Sequence, residues 1–289
     1  MRKTISQVSV CQKLDRNRKP GAVLALGLMV FAAMPSTAFA EAAAPVAAPS
    51  NFKLALRYDG RLVVKVLDIS LDHSVRDGAV ENRTRLRSYG VLSAFKKLDQ
   101  RASGTARLVD GEARSINFTH QNIDGKRDRK VNVAWRDSDV LTTSNPQYDF
   151  MGDPPASLAQ KRESNDPLTQ LLNVSLSGSS RDICKGTLKI FDGKQRYNLE
   201  FTERAPTELS KREKDLGLKT AVQCRVFYKE VAGFKKKPPE KQNQGLNRPI
   251  VITFARIGDD GPWVMSDVVA ETSLGKARIE LKSMTHTIG

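Results

Sequence analysis

Residues 52–71, FKLALRYDGRLVVKVLDISL, alternate apolar and polar positions with a period of two on both sides of Asp59-Gly60. A pleated strand sends successive side chains to opposite faces, so this alternation predicts two half-buried strands joined by a turn. The same grammar recurs at 104–118 about Asp110-Gly111, at 114–135 near Asp124-Gly125, and at 249–271 around Asp260-Gly261-Pro262. A last alternating run, KARIELKSMT, occupies 276–285. Asp-Gly between alternating runs is a strong hairpin signal, because glycine accepts the positive φ that tight turns need. The pattern predicts a mainly β fold, a curled, spiral or barrel-like antiparallel sheet.

One helix interrupts it. In SNDPLTQLLNVSLSG, Asp166 can cap, Pro167 suits the first turn and Gly178 suits the stop, which predicts a helix over about 166–177. Leu168, Leu171, Leu172, Ser175 and Leu176 fall on one face, the side expected to lie against the sheet. Residues 234–249, FKKKPPEKQNQGLNRP, carry no strand pattern and read as an exposed loop.

The segment 182–201, DICKGTLKIFDGKQRYNLEF, predicts a further hairpin. With Asp192 and Gly193 as a two-residue turn, Phe191 opposes Lys194, Leu188 opposes Tyr197, Gly186 opposes Leu199 and Cys184 opposes Phe201. One face then carries Cys184, Leu188, Ile190, Tyr197, Leu199 and Phe201, and the other Thr187, Lys189, Arg196, Asn198 and Glu200. In LKTAVQCRVFYKEV, Cys224 shares parity with Val222, Val226 and Tyr228. Both sulfurs are therefore expected to point inward.

The N-terminus changes the picture. A basic leader containing Arg2, Lys3, Lys13, Arg16, Arg18 and Lys19 precedes the apolar run Gly21–Ala33 and the small-x-small site Ala38-Phe39-Ala40. This reads as a signal peptide over 1–40 cleaved after Ala40, since the apolar run is short of the ~20 residues a membrane span needs. Residues 41–50, EAAAPVAAPS, read as a flexible Ala/Pro-rich spacer, and 51–289 as a single β-rich domain. No later segment is apolar enough to span a bilayer. Export leaves Cys184 and Cys224 as a pair in an oxidising compartment, which predicts a disulfide. Two cysteines without neighbouring histidines do not fill a metal site.

Losing the leader's six basic residues and one acid takes the net charge from +15 to +10. A basic exported chain favours anionic partners, namely lipid head groups, acidic glycans or acidic envelope proteins, and export argues against nucleic acid. Arg83, Arg85 and Arg87 in ENRTRLRSYG alternate, so on a strand their guanidinium groups share one face suited to phosphate or carboxylate. The competing expectation is a solvated face with acids across the ladder.

The segments DPLTQLL at 166–172, Cys184, FDGKQRY at 191–197, Cys224 and VAGF at 231–234 resemble, in that order, an exported Gram-negative family of unknown function, number 3108. Gln195 departs from the family's usual basic residue. The resemblance implies a periplasmic, disulfide-linked, β-rich single domain, and more distantly a likeness to β-spiral envelope-integrity proteins. It carries over no catalytic residues.

Signatures of chemistry are otherwise thin. His73, His120 and His286 are far apart, LSGSS at 176–180 is no nucleophile elbow, and Asp259-Asp260 sits among turn formers. No cofactor is expected. The leading expectation is a non-enzymatic periplasmic binding or structural protein supporting the envelope. The alternatives are a lipid carrier, with Leu62, Val64, Val66, Ile252, Phe254, Trp263 and Met265 as candidate cavity walls, and a glycan or peptidoglycan hydrolase.

Overall fold

In the computed structural model the described residues are 51–95, 97–123, 128–178, 182–236, 248–272 and 275–289. The leader, the spacer, the Asp124-Gly125 turn and most of the 234–249 loop lie outside them. Thirteen described strands form one antiparallel sheet in the order β7-β6-β5-β4-β3-β2-β1-β13-β12-β11-β10-β9-β8. They are β1 Phe52–Arg61, β2 Lys65–Arg76, β3 Ala79–Ser88, β4 Asp99–Val109, β5 Glu112–Asn122, β6 Arg129–Trp135, β7 Val140–Asn145, β8 Thr187–Phe191, β9 Arg196–Thr207, β10 Leu218–Ala232, β11 Ile250–Ile257, β12 Trp263–Thr272 and β13 Gly275–Ile288. The mainly β expectation holds. Among the described residues four short helices accompany the sheet rather than one: α1 Gly90–Phe95, α2 Leu158–Arg162, α3 Pro167–Ser175 and α4 Lys211–Asp215.

Neighbouring strands follow one another in sequence except at β1 and β13, which pair from Phe52↔Ile288 to Arg61↔Arg278. The β4–β5 turn falls at Asp110-Gly111, both with positive φ, as the hairpin grammar predicts. An unforeseen Asp77-Gly78 turn of the same kind joins β2 to β3. Asp59-Gly60 is not a turn. Both residues lie inside β1 and the chain reverses over Leu62–Val64. Asp59 is buried there and bonded to Lys65 at 2.8 Å, while Gly60 lies against Leu67, whose Cβ would stand 2.8 Å from an added Cβ.

The 191–196 hairpin has a four-residue loop. Phe191 opposes Arg196 and Leu188 opposes Leu199, two positions from the expected register. A shift of two preserves parity, so Leu188, Leu199 and Phe201 still pack inward against Cys224, Phe254 and Trp263. Cys184 is not on the strand. It occupies a turn at φ 68° before β8, and from there is disulfide-bonded to Cys224 with Cα atoms 5.4 Å apart.

The sheet does not close strand to strand, and β7 and β8 are its two ends. The residues before α3 bridge the gap. Asn165 pairs through its backbone with β8, its N–H donating to Lys189 O at 3.1 Å and its carbonyl accepting from Phe191 N at 3.0 Å. Its side-chain Oδ1 accepts from Ser115 N at 2.9 Å on β5. Strand β6 pairs only with Asn117–Asn122, so the first half of β5 would otherwise be an exposed edge. Asn173 satisfies Ala113 there at both its N–H, 2.7 Å, and its carbonyl, 3.0 Å.

Candidate anion-binding groove

Alternation along β3 puts Arg83, Arg85 and Arg87 on one face, and pairing brings other strands' side chains beside them. Arg57 of β1 and Arg85 of β3 both stand opposite Ser70 of β2, and Arg87 stands opposite Asp68. The β1–β13 register skips Lys282, a bulge position, whose ammonium lies 3.4 Å from Asp59. The small Ser70 between two long cations leaves a groove of about 490 Å³. Five cations line it, Arg57, Lys65, Arg85, Arg87 and Lys282, against two carboxylates, Asp59 and Asp68.

Each carboxylate has a cation to answer. Lys65 bonds Asp59 at 2.8 Å and Asp68 at 2.5 Å, and these bonds raise its pKa. Burial alone would push Asp59 up, but Lys65 and then Lys282 hold it below the usual carboxylate range. From the rim, Asp72 takes Arg57 at 2.7 Å. Asp99 takes Arg85 through two bonds of 2.9 and 2.6 Å and Arg101 at 3.0 Å, and these partners hold Asp99 far below its ordinary pKa. With Asp72, Asp99 and Arg101 added from the rim, six cations meet four carboxylates, and Arg61 also reaches Asp59 at 3.7 Å while bonding Glu280 at 3.1 Å. Arg87 is exposed and has no hydrogen bond or ion pair among the described residues. Arg83 is not part of the groove lining, and its guanidinium reaches Glu81 at 3.3 Å. The run 83–87 was readable from alternation. Arg57 and Lys65 could be found only by pairing β1, β2 and β3, and Lys282 only through a bulge in a pairing more than 200 residues long in sequence.

The motif residues that carry the resemblance gather at the seam between β5–β6 and β8–β10, where their roles are structural. Asp166 Oδ1 accepts from Leu168 N and Thr169 N, and Oδ2 from the Ser115 and Thr169 hydroxyls at 2.6 Å each. Burial pushes this carboxyl up against those bonds. Asn82 Nδ2 donates to Thr169 Oγ1 at 3.5 Å, and Asn82 Oδ1 lies 2.7 Å from His73 Nδ1. In the FDG loop, Asp192 Oδ1 accepts from Lys194 N and Gln195 N, and its carbonyl accepts from His120 Nε2 at 3.1 Å. Gly193, at φ 101°, lies so close to Val131 that a Cβ would come within 2.6 Å of Cγ1. At Gly233 a Cβ would run into the Lys194 carbonyl. Arg196, expected on the outward face, is buried. It donates to Gln160 O, Tyr197 O, Asn198 Oδ1 and Glu163 Oε1, because the segment bearing α2 and α3 covers that side of the hairpin.

The three histidines do not converge. His73 and His286 flank Leu54 on neighbouring strands, while His120 belongs to the seam. No group of three potential metal ligands occurs among the described residues. Of the candidate cavity walls, Ile252, Phe254 and Trp263 are packed in the core around the disulfide, whereas Leu62 and Val64 are exposed at the β1–β2 turn. A second depression, about 530 Å³, opens on the inner face beside Thr84, Leu86, His120, Arg129 and Tyr148, with Arg129 engaged by Pro146 O, Gln147 O and the Tyr148 ring.

Fold and linkage define a class: mainly β proteins built on one unclosed antiparallel sheet with a single disulfide among the described residues. No family model and no curated protein matches the sequence. Among solved structures the chain is similar to a β-barrel-like protein of domain of unknown function DUF1849 from Brucella abortus. The identity is 10%, over 83% of this chain and 98% of that one, with a TM-score of 0.49.

Proposed function

We propose that this protein works in the periplasm as a non-catalytic binding and structural module of the cell envelope, holding a phosphate- or carboxylate-bearing envelope component in the outer groove. The leader pattern of residues 1–40, the Cys184–Cys224 linkage and the motif resemblance to family 3108 support the location. The observation that carries the binding role is the groove around Ser70, where five cations face two carboxylates and Arg87 is left to meet an incoming anion. Guanidinium groups bind such oxygens through paired hydrogen bonds.

The test is calorimetric titration with deacylated lipopolysaccharide core oligosaccharide, a soluble phosphate-bearing ligand. Affinity should fall steeply between low and high salt. Arg87→Gln should weaken it about tenfold, consistent with losing one charge-assisted contact, and Arg83→Gln should leave it nearly unchanged. Salt-independent binding, or equal affinity of R87Q and the unmodified protein, would overturn the assignment.

A further inference from the structure

The turn between β1 and β2 is built from three consecutive apolar residues. Leu62 is 37% exposed, Val63 96% and Val64 55%. Tyr89, 48% exposed, joins them: its N–H donates to Val66 O at 2.7 Å and its ring lies 4.3 Å under the Lys65 ammonium. Turns ordinarily recruit Gly, Asn, Asp or Ser, and the Asp-Gly pair just upstream is inside the strand instead. One exposed valine needs no explanation, but a contiguous apolar tip on a tight reversal does.

The tip and the groove are continuous, because Lys65 both lines the groove and caps the Tyr89 ring. We propose that this end of the molecule docks on a bilayer surface containing anionic lipid, with Leu62, Val63 and Val64 entering the acyl boundary while lipid phosphates occupy the groove at Arg87 and Lys282. The inference rests on the anion-binding reading above and names its ligand. Three points favour a bilayer over a protein partner. The apolar part is far smaller than the ~800 Å² per side of a specific protein interface. A fluid acyl boundary takes aliphatic side chains without shape complementarity. A tyrosine beside cations, just behind the apolar residues, suits the head-group layer, where aromatic rings and basic side chains concentrate.

The experiment is flotation of the purified protein with phosphatidylcholine vesicles, with and without 30% phosphatidylglycerol, at low and high salt. Binding should require the anionic lipid and be lost at high salt. Val63→Ser should reduce vesicle binding about tenfold while leaving titration with the deacylated oligosaccharide unchanged; at 96% exposure this change removes no packing. Val63→Trp should shift its emission to the blue on anionic vesicles and be quenched by brominated acyl chains. Equal flotation of V63S and the unmodified protein, an unshifted V63W spectrum, or self-association through the tip without vesicles would each overturn the proposal. Oligosaccharide binding without vesicle binding removes the bilayer inference alone, and loss of both removes the groove's function too.

Discussion

His73 illustrates what burial does to a single titrating side chain. It is 2% exposed, and desolvation lowers its pKa despite the Asn82 hydrogen bond and the nearby Asp72 charge. The folded protein therefore binds this proton more weakly than the unfolded chain, whose histidine titrates near 6.5. The stabilisation is complete above that value and is lost as pH falls from it toward the folded pKa. His120 and His286 are shifted the same way by burial, so the histidine contribution to stability should decline from pH 7.5 to 5.5, opposed by buried carboxyls such as Asp166, whose raised pKa favours the folded state as pH falls. His73→Asn keeps a donor toward Asn82 but cannot titrate. In urea denaturation it should cost about 1–3 kcal/mol at pH 7.5 and show a shallower decline toward pH 5.5 than the unmodified protein. Parallel declines would remove His73 from the pH response. Scarcity of histidine was visible in the sequence, and so was the alternation that puts His73 on the face of Leu71 and Val75; what could not be read was what covers that face. Arg196 was misread for a related reason: parity along one strand says which face a side chain takes, not what covers that face.

Helix α3 was legible as an element and only half legible as a contact. The cap at Asp166 and Pro167 in the first turn are local signals and both hold. The expected single apolar face was too narrow, because Thr169 and Gln170 are buried as well. Their partners explain it: Thr169 bonds Asp166 and Gln170 donates to Lys189 O at 2.9 Å, so polar positions are used where the helix meets strand edges. Local periodicity cannot anticipate edges supplied by β5 and β8. The two-residue slip in the 191–196 register has a local cause instead: the Asp192 carboxylate accepts from two loop N–H groups and so favours the longer loop. Asp166→Ala should be more damaging than loss of an exposed cap, since it also strands the buried hydroxyls of Ser115 and Thr169. The expected loss is about 2–4 kcal/mol against ~1 kcal/mol for a surface cap, with Asp166→Asn intermediate. A loss near the surface value in urea would mean that the helix does not hold the seam.

At the scale of the whole molecule the sheet is a meander joined once across its length, at β1–β13, and tied once covalently. Sequence grammar reaches the hairpins because each is local, and it misses the β1–β13 pairing because nothing short-range encodes which strands two distant segments will neighbour. The disulfide was expected from the reading of residues 1–40 as an export leader and from the inward parity of Cys224, whereas strand parity did not apply to Cys184, which sits in a turn. It closes a span of 40 residues and links the approach to β8 with β10. Chain-entropy reasoning gives such a closure roughly 3–4 kcal/mol, by restricting the unfolded ensemble. Cys224 is fully buried and Cys184 nearly so, which shields the bond from reductant until the region around Val174, Ile183 and Trp263 opens. Cys184→Ser should therefore lower the urea midpoint by an amount matching that loss under oxidising conditions. The unmodified protein, unfolded and refolded in reductant, should fall to nearly the same midpoint, whereas folded protein exposed briefly to reductant should keep its original one. Coincident midpoints for C184S and the unmodified protein without reductant would mean that the linkage does not brace the sheet. Rapid reduction of the folded protein would mean instead that the core around Cys224 is open to solvent.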